Sequence, residues 1–118
     1  MLRQLMADEV TFTCTAEEEY SAVRGNAISS GDDAFDKKVE DEIIERLDAG
    51  FNWAWCCAKV TAEWNGIVSS AYLGCCSYKD KEEFEADDYF NSLKENALKL
   101  LNGEIENQFN TIKSLIVI

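Results

Sequence analysis

The chain has 118 residues, 47% of them hydrophobic, and its 23 acidic and 11 basic residues give a formal charge of −12 with no histidine. This length and apolar content predict a single folded domain, 1–118, with an ordinary hydrophobic core. The charge argues against direct binding to nucleic acid or to an anionic membrane, because both require cationic surfaces. The lack of histidine excludes Ser-His-Asp and Cys-His catalytic sites.

The location of the protein is predicted from what the sequence lacks. No run of about 20 apolar residues is present, so no membrane-spanning helix is expected. The apolar stretch at the start is too short for a signal peptide and is interrupted by Asp8 and Glu9. Five cysteines, an odd number, suit a reducing compartment better than a secreted disulfide framework. These features favour a cytoplasmic protein.

The first quarter of the chain predicts a strand and a short helix. After a loosely packed start at 1–7, apolar and threonine residues alternate over 9–15, which is typical of a half-buried strand. A capping-box pattern, Thr15-Ala-Glu-Glu18, then predicts a short helix over 16–24. We expect a loop over 25–31.

A longer helix follows the loop. Apolar residues recur at every fourth position, which is typical of an amphipathic helix; they are Phe35, Val39, Ile43 and Leu47. Ser29 or Ser30 is expected to cap this helix, and Gly50 is expected to end it.

A β-hairpin over 51–78 is the central element of the predicted fold. Asn65-Gly66 favours a two-residue type I′ turn, because both residues tolerate a positive φ. In the resulting register, Trp64 faces Ile67 and Cys56 faces Cys75. Alternation then divides the hairpin into a small-residue face and a second face that mixes aromatic and polar groups. The small-residue face contains Ala54, Cys56, Ala58, Val60, Ala62, Ile67, Ala71, Leu73 and Cys75.

The end of the chain is predicted to be helical. Apolar spacing indicates a helix over 80–102, with a break at Asp87-Asp88 and an end at Gly103. The tail, 104–118, predicts either a docked last helix or a helix that runs into an edge strand. The expected fold is therefore α+β: an antiparallel sheet built on the hairpin, with helices packed on its small-residue face.

Two cysteine pairs in the hairpin, 56–57 and 75–76, look like a four-thiolate metal site. Neighbouring residues of a strand point to opposite faces, so the four thiolates of a regular hairpin cannot converge on one zinc ion. We expect no metal, no cofactor and no catalytic residue. A bridge between Cys56 and Cys75 is allowed by geometry, but five free thiols that pack as small hydrophobic groups are preferred.

Two surfaces are candidate partner-binding sites. The first is an acidic face on the two main helices, for which we select Asp36, Glu40, Glu82 and Glu85. A merely solvated charged face is the alternative. The second is the mixed face of the hairpin, with Trp53, Trp55, Tyr72 and Tyr78, because Trp and Tyr are frequent in binding hot spots. Additional structure covering these rings is the alternative.

Part of the chain also resembles a known group of proteins. The segments VRGNAISSGDDAFDKKVEDEIIERLDAG, NWAWCCAKVTAEW and AYLGCCSYKDKEEF are similar to small uncharacterised acidic proteins of bacteriophages and other mobile elements. The resemblance covers roughly 23–102 and implies no catalytic residue. It implies a context in which small acidic proteins bind and inhibit host machinery, as anti-CRISPR and anti-restriction proteins do.

Three functions are therefore expected, in decreasing order. The first is a non-enzymatic acidic binding protein for a host protein with a basic surface, with a nucleic-acid-mimicking inhibitor as its most specific form. The second is a small-molecule binder or minor enzyme that uses the hairpin cysteines. The third is a structural homo-oligomer, such as a homodimer, joined through the apolar tail at 115–118.

Overall fold

Residues 2–117 form a three-stranded antiparallel sheet and three α-helices, which confirms the predicted α+β class. A computed structural model describes residues 2–117. The strands, in sheet order, are β1 (Thr11–Glu17), β2 (Cys56–Trp64) and β3 (Ile67–Cys76). The helices are α1 (Asp33–Asp48), α2 (Lys81–Glu85) and α3 (Asp88–Lys113), and one-turn 3-10 helices occupy Ala7–Glu9 and Asn52–Ala54.

The hairpin turn forms as the Asn-Gly pair predicts. Asn65 and Gly66 have φ values of 52° and 82°, as a type I′ turn requires. The predicted register is confirmed from Trp64 opposite Ile67 down to Ala58 opposite Leu73. The strand itself begins later than expected, at Cys56, because residues 52–54 form a 3-10 turn.

The predicted pairing of Cys56 with Cys75 is wrong. Cys56 lies opposite Cys76, because β3 contains an extra residue at a β-bulge beside Cys57. Cys75 has a φ of 55°, in the left-handed region, and its amide donates to the carboxylate of Glu19. The bulge therefore reverses the two cysteines of β3: Cys76 is buried and Cys75 is exposed.

The main core lies between the small-residue face of the sheet and α3. Ala58, Val60 and Ala62 of β2 have no exposed surface. They form one cluster with Ala97 and Leu101 of α3. Small side chains on both elements allow the helix to approach the sheet closely. The prediction that helices pack on this face is confirmed for α3.

α1 packs elsewhere, against the open end of the hairpin. Its Ile43 forms a second core cluster with Val23 and Trp55. The helix is capped by Asp32, whose carboxylate accepts from the amides of residues 34 and 35, rather than by Ser29 or Ser30. The chain leaves the helix at Gly50 with a φ of 96°, which confirms the predicted end.

The predicted helix over 16–24 does not form. β1 continues to Glu17, which pairs with Cys57 of β2. The Glu19 carboxylate then accepts from the Ser21 amide at 2.9 Å, and the Ser21 carbonyl accepts from the Trp55 indole at 2.8 Å. The pairing of Glu17 with Cys57 and the bond from Trp55 to Ser21 are long-range contacts, and the bond from Ser21 to Glu19 is local. Together they satisfy backbone groups in a non-helical conformation and outweigh the capping-box signal.

Both ends of the chain differ from expectation. The start is not loosely packed, since the Leu5 amide donates to the Asn102 side chain at 2.8 Å and the Asn102 amide donates to the Leu5 carbonyl at 3.2 Å. Asp87 caps α3, which confirms the predicted break. The helix passes through Gly103 to Lys113, so the end predicted at Gly103 is wrong. Residues 106–117 are exposed, and Ile118 lies outside the described residues.

Candidate functional site

Two of the four acidic residues selected from the sequence are part of the internal structure. Glu40 is only 8% exposed, and its carboxylate accepts from the Gly25 amide at 2.8 Å and from the Arg24 guanidinium at 3.3 Å. Asp36 is half-buried and accepts from the Ser30 amide at 3.2 Å. The selection of Glu40 for an exposed acidic face is wrong, because both carboxylates hold the loop over 25–31 against α1.

The same end of α1 is further neutralised by ion pairs. Asp41 pairs with Arg24 and, at 3.0 Å, with Lys37. The hydrogen bond from Arg24, followed by that from Lys37, holds the pKa of Asp41 below its usual value. The N-terminal half of α1 therefore presents little unpaired negative charge.

A group of exposed acids without ion pairs lies on the C-terminal half of α1 and on α2. These exposed residues, which we call the acidic patch, are Glu42, Glu45, Asp48, Glu82, Glu83 and Glu85. Among residues 2–117, no ion pair within 4.0 Å involves any of them. The patch retains Glu82 and Glu85 from the sequence prediction.

One hydrogen bond connects the two halves of the acidic patch. The guanidinium of Arg46, on α1, donates to the Tyr78 carbonyl at 2.6 Å. Tyr78 lies shortly before α2, whose first turn is capped by the Asp80 carboxylate. The bond therefore holds the last turns of α1 beside the segment that leads into α2.

The predicted aromatic face does not exist as one surface. Trp53 stacks on Phe84 with ring centroids 5.2 Å apart, and Tyr78 meets Phe84 edge-on at 5.1 Å. Trp55 is 5% exposed and belongs to the core beneath α1. Only Tyr72, at 58% exposed, lies open on the sheet. The 3-10 turn at residues 52–54 is the reason, because it turns both tryptophans into the protein.

The Tyr78 hydroxyl is used inside the structure as well. It donates to the Asp87 carboxylate at 3.0 Å. Burial, and then this hydrogen bond, raise the pKa of Tyr78 well above its usual value. The ring thus ties the end of the hairpin to the cap of α3 and is not available as a contact residue.

The cysteines are arranged for packing. Cys14, Cys56 and Cys76 are buried, Cys57 is half-buried and Cys75 is exposed, and all five are free. Neighbouring cysteines point in opposite directions, as the strand geometry predicts. Burial raises the pKa of Cys14 to about 11 and that of Cys56 to about 12, and it also raises the pKa of Cys57 and Cys76. Those four thiols keep their protons at neutral pH, which disfavours nucleophilic attack.

No metal centre was found within residues 2–117. No group of three or more cysteine, aspartate and glutamate side chains there could hold a metal ion. A cleft of about 440 Å³ brings Cys14 near Asp80. However, the Cys14 thiol is buried and the Asp80 carboxylate accepts from the Glu83 amide. This cleft therefore lacks a free acid and an accessible thiol.

A groove between β3 and α3 was not anticipated from the sequence. It has a volume of about 880 Å³, and it is lined on one side by Ser69, Ser70 and Tyr72 and on the other by Leu100 and Gly103. Small residues on both walls leave the space open. The sequence contains a signal for this groove, because the run Ser69-Ser70-Ala71 and the helical Gly103 all have small side chains.

Within residues 2–117, no helix has both the length and the apolar character needed to cross a membrane.

Comparison with known proteins gives no family assignment. No family model, no curated protein and no solved structure matches the chain. The likeness to small phage-encoded proteins therefore remains a prediction, and proposals about function depend on the geometry of the described residues.

Proposed function

We propose that this is a non-enzymatic binding protein that engages a basic protein surface through the acidic patch. The observation that carries the proposal is a difference among the acids of α1 and α2. Asp36, Glu40 and Asp41 hold the loop over 25–31 or form ion pairs within the protein. Among residues 2–117, five acids of the patch are exposed and have neither an ion pair nor a side-chain hydrogen bond: Glu42, Glu45, Asp48, Glu82 and Glu85. Fold maintenance accounts for the first group and does not account for the second.

Electrostatics gives the acidic patch a physical role. Exposed, unpaired carboxylates create a negative potential that attracts a basic partner and increases its association rate. The four protonated thiols and the absence of histidine give little support to catalysis. A binding role is therefore better supported than the small-molecule or enzymatic alternative.

The density of exposed acids on α1 is lower than the density of phosphates on duplex DNA, which favours a basic protein partner over close mimicry of DNA. α1 has 16 residues and is about 24 Å long, a length over which duplex DNA carries about 14 phosphate charges. Four acids on α1 are exposed and unpaired: Asp33, Glu42, Glu45 and Asp48. The resemblance implies a more specific function, which is inhibition of a host nucleic-acid enzyme by a phage-encoded protein. The geometry supports only one part of that function, the binding of a partner with a basic surface.

A pair of charge-matched variants tests the proposal. The patch variant replaces Glu42, Glu45, Glu82 and Glu85 by Lys; its control replaces Asp8, Glu18, Glu63 and Glu95, which are exposed and lie outside the patch. Both variants change the net charge equally, and Asp36 and Glu40 remain intact because they hold the loop. Binding of a labelled Lys-Ser repeat peptide is measured by fluorescence anisotropy.

We expect the patch variant to lose binding and the control to retain most of it. Raising the salt from 0.1 M to 1 M shortens the screening length from about 10 Å to about 3 Å, so wild-type binding should also weaken. Equal losses in the two variants would show that only net charge matters. The acidic patch would then have no specific role.

A further inference from the structure

The C-terminal part of α3 presents apolar side chains that the rest of the protein does not cover. The exposed fractions are 36% for Phe109, 62% for Ile112, 74% for Leu115 and 66% for Ile116. α3 ends at Lys113, and hydrogen bonds from the Leu115 amide to the Ile112 carbonyl and from the Ile116 amide to the Lys113 carbonyl continue the winding. Phe109 and Ile112 therefore lie on α3 itself, and Leu115 and Ile116 lie on the hydrogen-bonded turns that follow it.

The spacing of these residues matches a helix-pairing seam. Ile105, Phe109, Ile112 and Ile116 are separated by four, three and four residues, which is the alternation of d and a positions in a heptad. The order four-three-four is the same in both directions. Two copies of the segment can therefore align in antiparallel directions, with each seam residue of one copy opposite a seam residue of the other.

We infer that this segment, 105–116, pairs with the same segment of a second copy in an antiparallel arrangement about a two-fold axis. Ile105 then lies level with Ile116 of the second copy, and Phe109 lies level with Ile112. A two-fold interface uses one surface twice, so self-complementary spacing is the property that it requires. The occupant of the exposed stripe is a second copy of this chain.

Charges beside the seam favour the antiparallel direction. With Ile105 and Ile112 at d positions, Glu106 and Lys113 both occupy e positions. Residues at e positions face each other across an antiparallel pair, and Glu106 lies within two residues of the level of Lys113 of the second copy. A parallel pair brings e positions against g positions, which are Gln108 and Leu115 and carry no charge. Only the antiparallel pair therefore joins opposite charges.

The charge of the rest of the protein points the same way. The segment 104–117 contains two acids and one base, Glu104, Glu106 and Lys113, so most of the net charge of −12 lies outside it. Antiparallel pairing places the two acidic bodies at opposite ends of the paired helices. Parallel pairing would place them side by side, where like charges repel.

A cleft at the base of the projecting helix extends the apolar contact. It has a volume of about 190 Å³, and Leu2, Leu5, Trp64 and Ile105 line it. Leu2 is 39% exposed and Trp64 is 36% exposed. In the antiparallel register, residues 114–117 of the second copy, which follow its helix end at Lys113, approach the base of this helix beside the cleft. The tip of each helix can therefore pack against the body of the other copy.

Analytical ultracentrifugation of the full chain tests the interface. We expect the wild type at micromolar concentrations to have twice the monomer mass of 13.3 kDa. Ile112→Asp places a charge in the seam and should give a monomer, whereas Thr111→Asp places the same charge one residue away on the outer face and should leave the dimer intact. Circular dichroism should show an unchanged fold for both, because residue 112 lies beyond the core. A monomeric wild type, or identical behaviour of the two variants, would overturn the inference.

A charge exchange tests the direction of pairing. Glu106→Lys and Lys113→Glu each replace two symmetry-related attractive pairs by repulsive ones, and each should weaken dimerisation about tenfold. The double variant should restore wild-type association, because the opposite charges meet again. Additive losses in the double variant would rule out the antiparallel seam. The patch variant Glu42, Glu45, Glu82 and Glu85→Lys should still dimerise, so failure of the seam and failure of the acidic patch are separate results.

Discussion

The structural role of Glu40 leads to a specific stability prediction for Glu40→Ala. The carboxylate is 8% exposed and accepts hydrogen bonds from the Gly25 amide at 2.8 Å and from Arg24 at 3.3 Å. Removing it leaves the Gly25 amide without this acceptor and releases the loop over 25–31 from α1. Arg24 keeps its second partner, Asp41.

The expected loss in the free energy of unfolding is about 1.5–2 kcal/mol. A hydrogen bond to a charged group contributes roughly 1.5–3 kcal/mol. The lower part of this range applies, because Gly25 is exposed and water can replace the lost acceptor. The greater helix propensity of Ala offsets a few tenths of a kcal/mol.

Urea unfolding followed by circular dichroism measures this loss. Glu42→Ala is the matched control, because Glu42 lies on the same helix but is exposed and unpaired; it should stay within about 0.5 kcal/mol of the wild type. Glu40→Gln keeps an acceptor oxygen and should lie between the two. If Glu40→Ala is as stable as Glu42→Ala, the carboxylate does not hold the loop and the division of the acids into two groups is refuted.

Two further predictions concern titratable groups. Native protein should react fastest with a thiol reagent at the exposed Cys75, more slowly at the half-buried Cys57, and slowest at the buried Cys14, Cys56 and Cys76. Unfolding in denaturant should release all five thiols, and fast reaction of a buried thiol in the native protein would contradict the packing. Hydrogen bonds from the Ser21 and Cys75 amides lower the pKa of Glu19 from its ordinary value of 4.5. This carboxylate therefore stabilises the fold fully above about pH 4.5. Its contribution decreases as the pH falls through the lowered pKa of the folded protein. The stability difference between wild type and Glu19→Gln should therefore shrink below pH 4.5, and a constant difference would refute the assignment.

Local patterns in the sequence were sufficient for the elements whose signals are local. The Asn65-Gly66 turn, the amphipathic period of α1 and the Asp87 cap are each set by neighbouring residues, and all three are confirmed. The alternation in β2 also identified the buried face correctly, because one side of the sheet packs against α3 throughout. Periodicity is reliable here since no bulge interrupts β2.

Long-range contacts explain the wrong predictions. The bulge at Cys75 is held by Glu19, 56 residues earlier in the chain, and no alternation pattern reveals it. The capping-box signal at Thr15 was overridden by pairing of Glu17 with Cys57. Gly103 does not adopt the positive φ with which Gly50 ends α1, and the neighbouring Asn102 is hydrogen-bonded to Leu5, 97 residues earlier.

The candidate site was only half predictable for the same reason. An acidic residue on a helix can be exposed or can accept a hydrogen bond from a distant loop, and composition does not distinguish the two cases. Glu40 accepts from Gly25, 15 residues away, whereas Glu82 and Glu85 are exposed. The aromatic prediction was wrong because the turn at Asn52–Ala54 redirects Trp53 and Trp55 into the protein.

Chemical-shift mapping tests the central proposal, binding through the acidic patch, most directly. Isotope-labelled protein is titrated with the Lys-Ser repeat peptide, and backbone amide shifts are followed at a fixed moderate salt concentration. We predict that the largest changes fall on 42–48 and on 81–85, with little change at Glu18, Glu63 or Glu95. Shifts spread over all exposed acids, or concentrated outside the acidic patch, would contradict the proposed function.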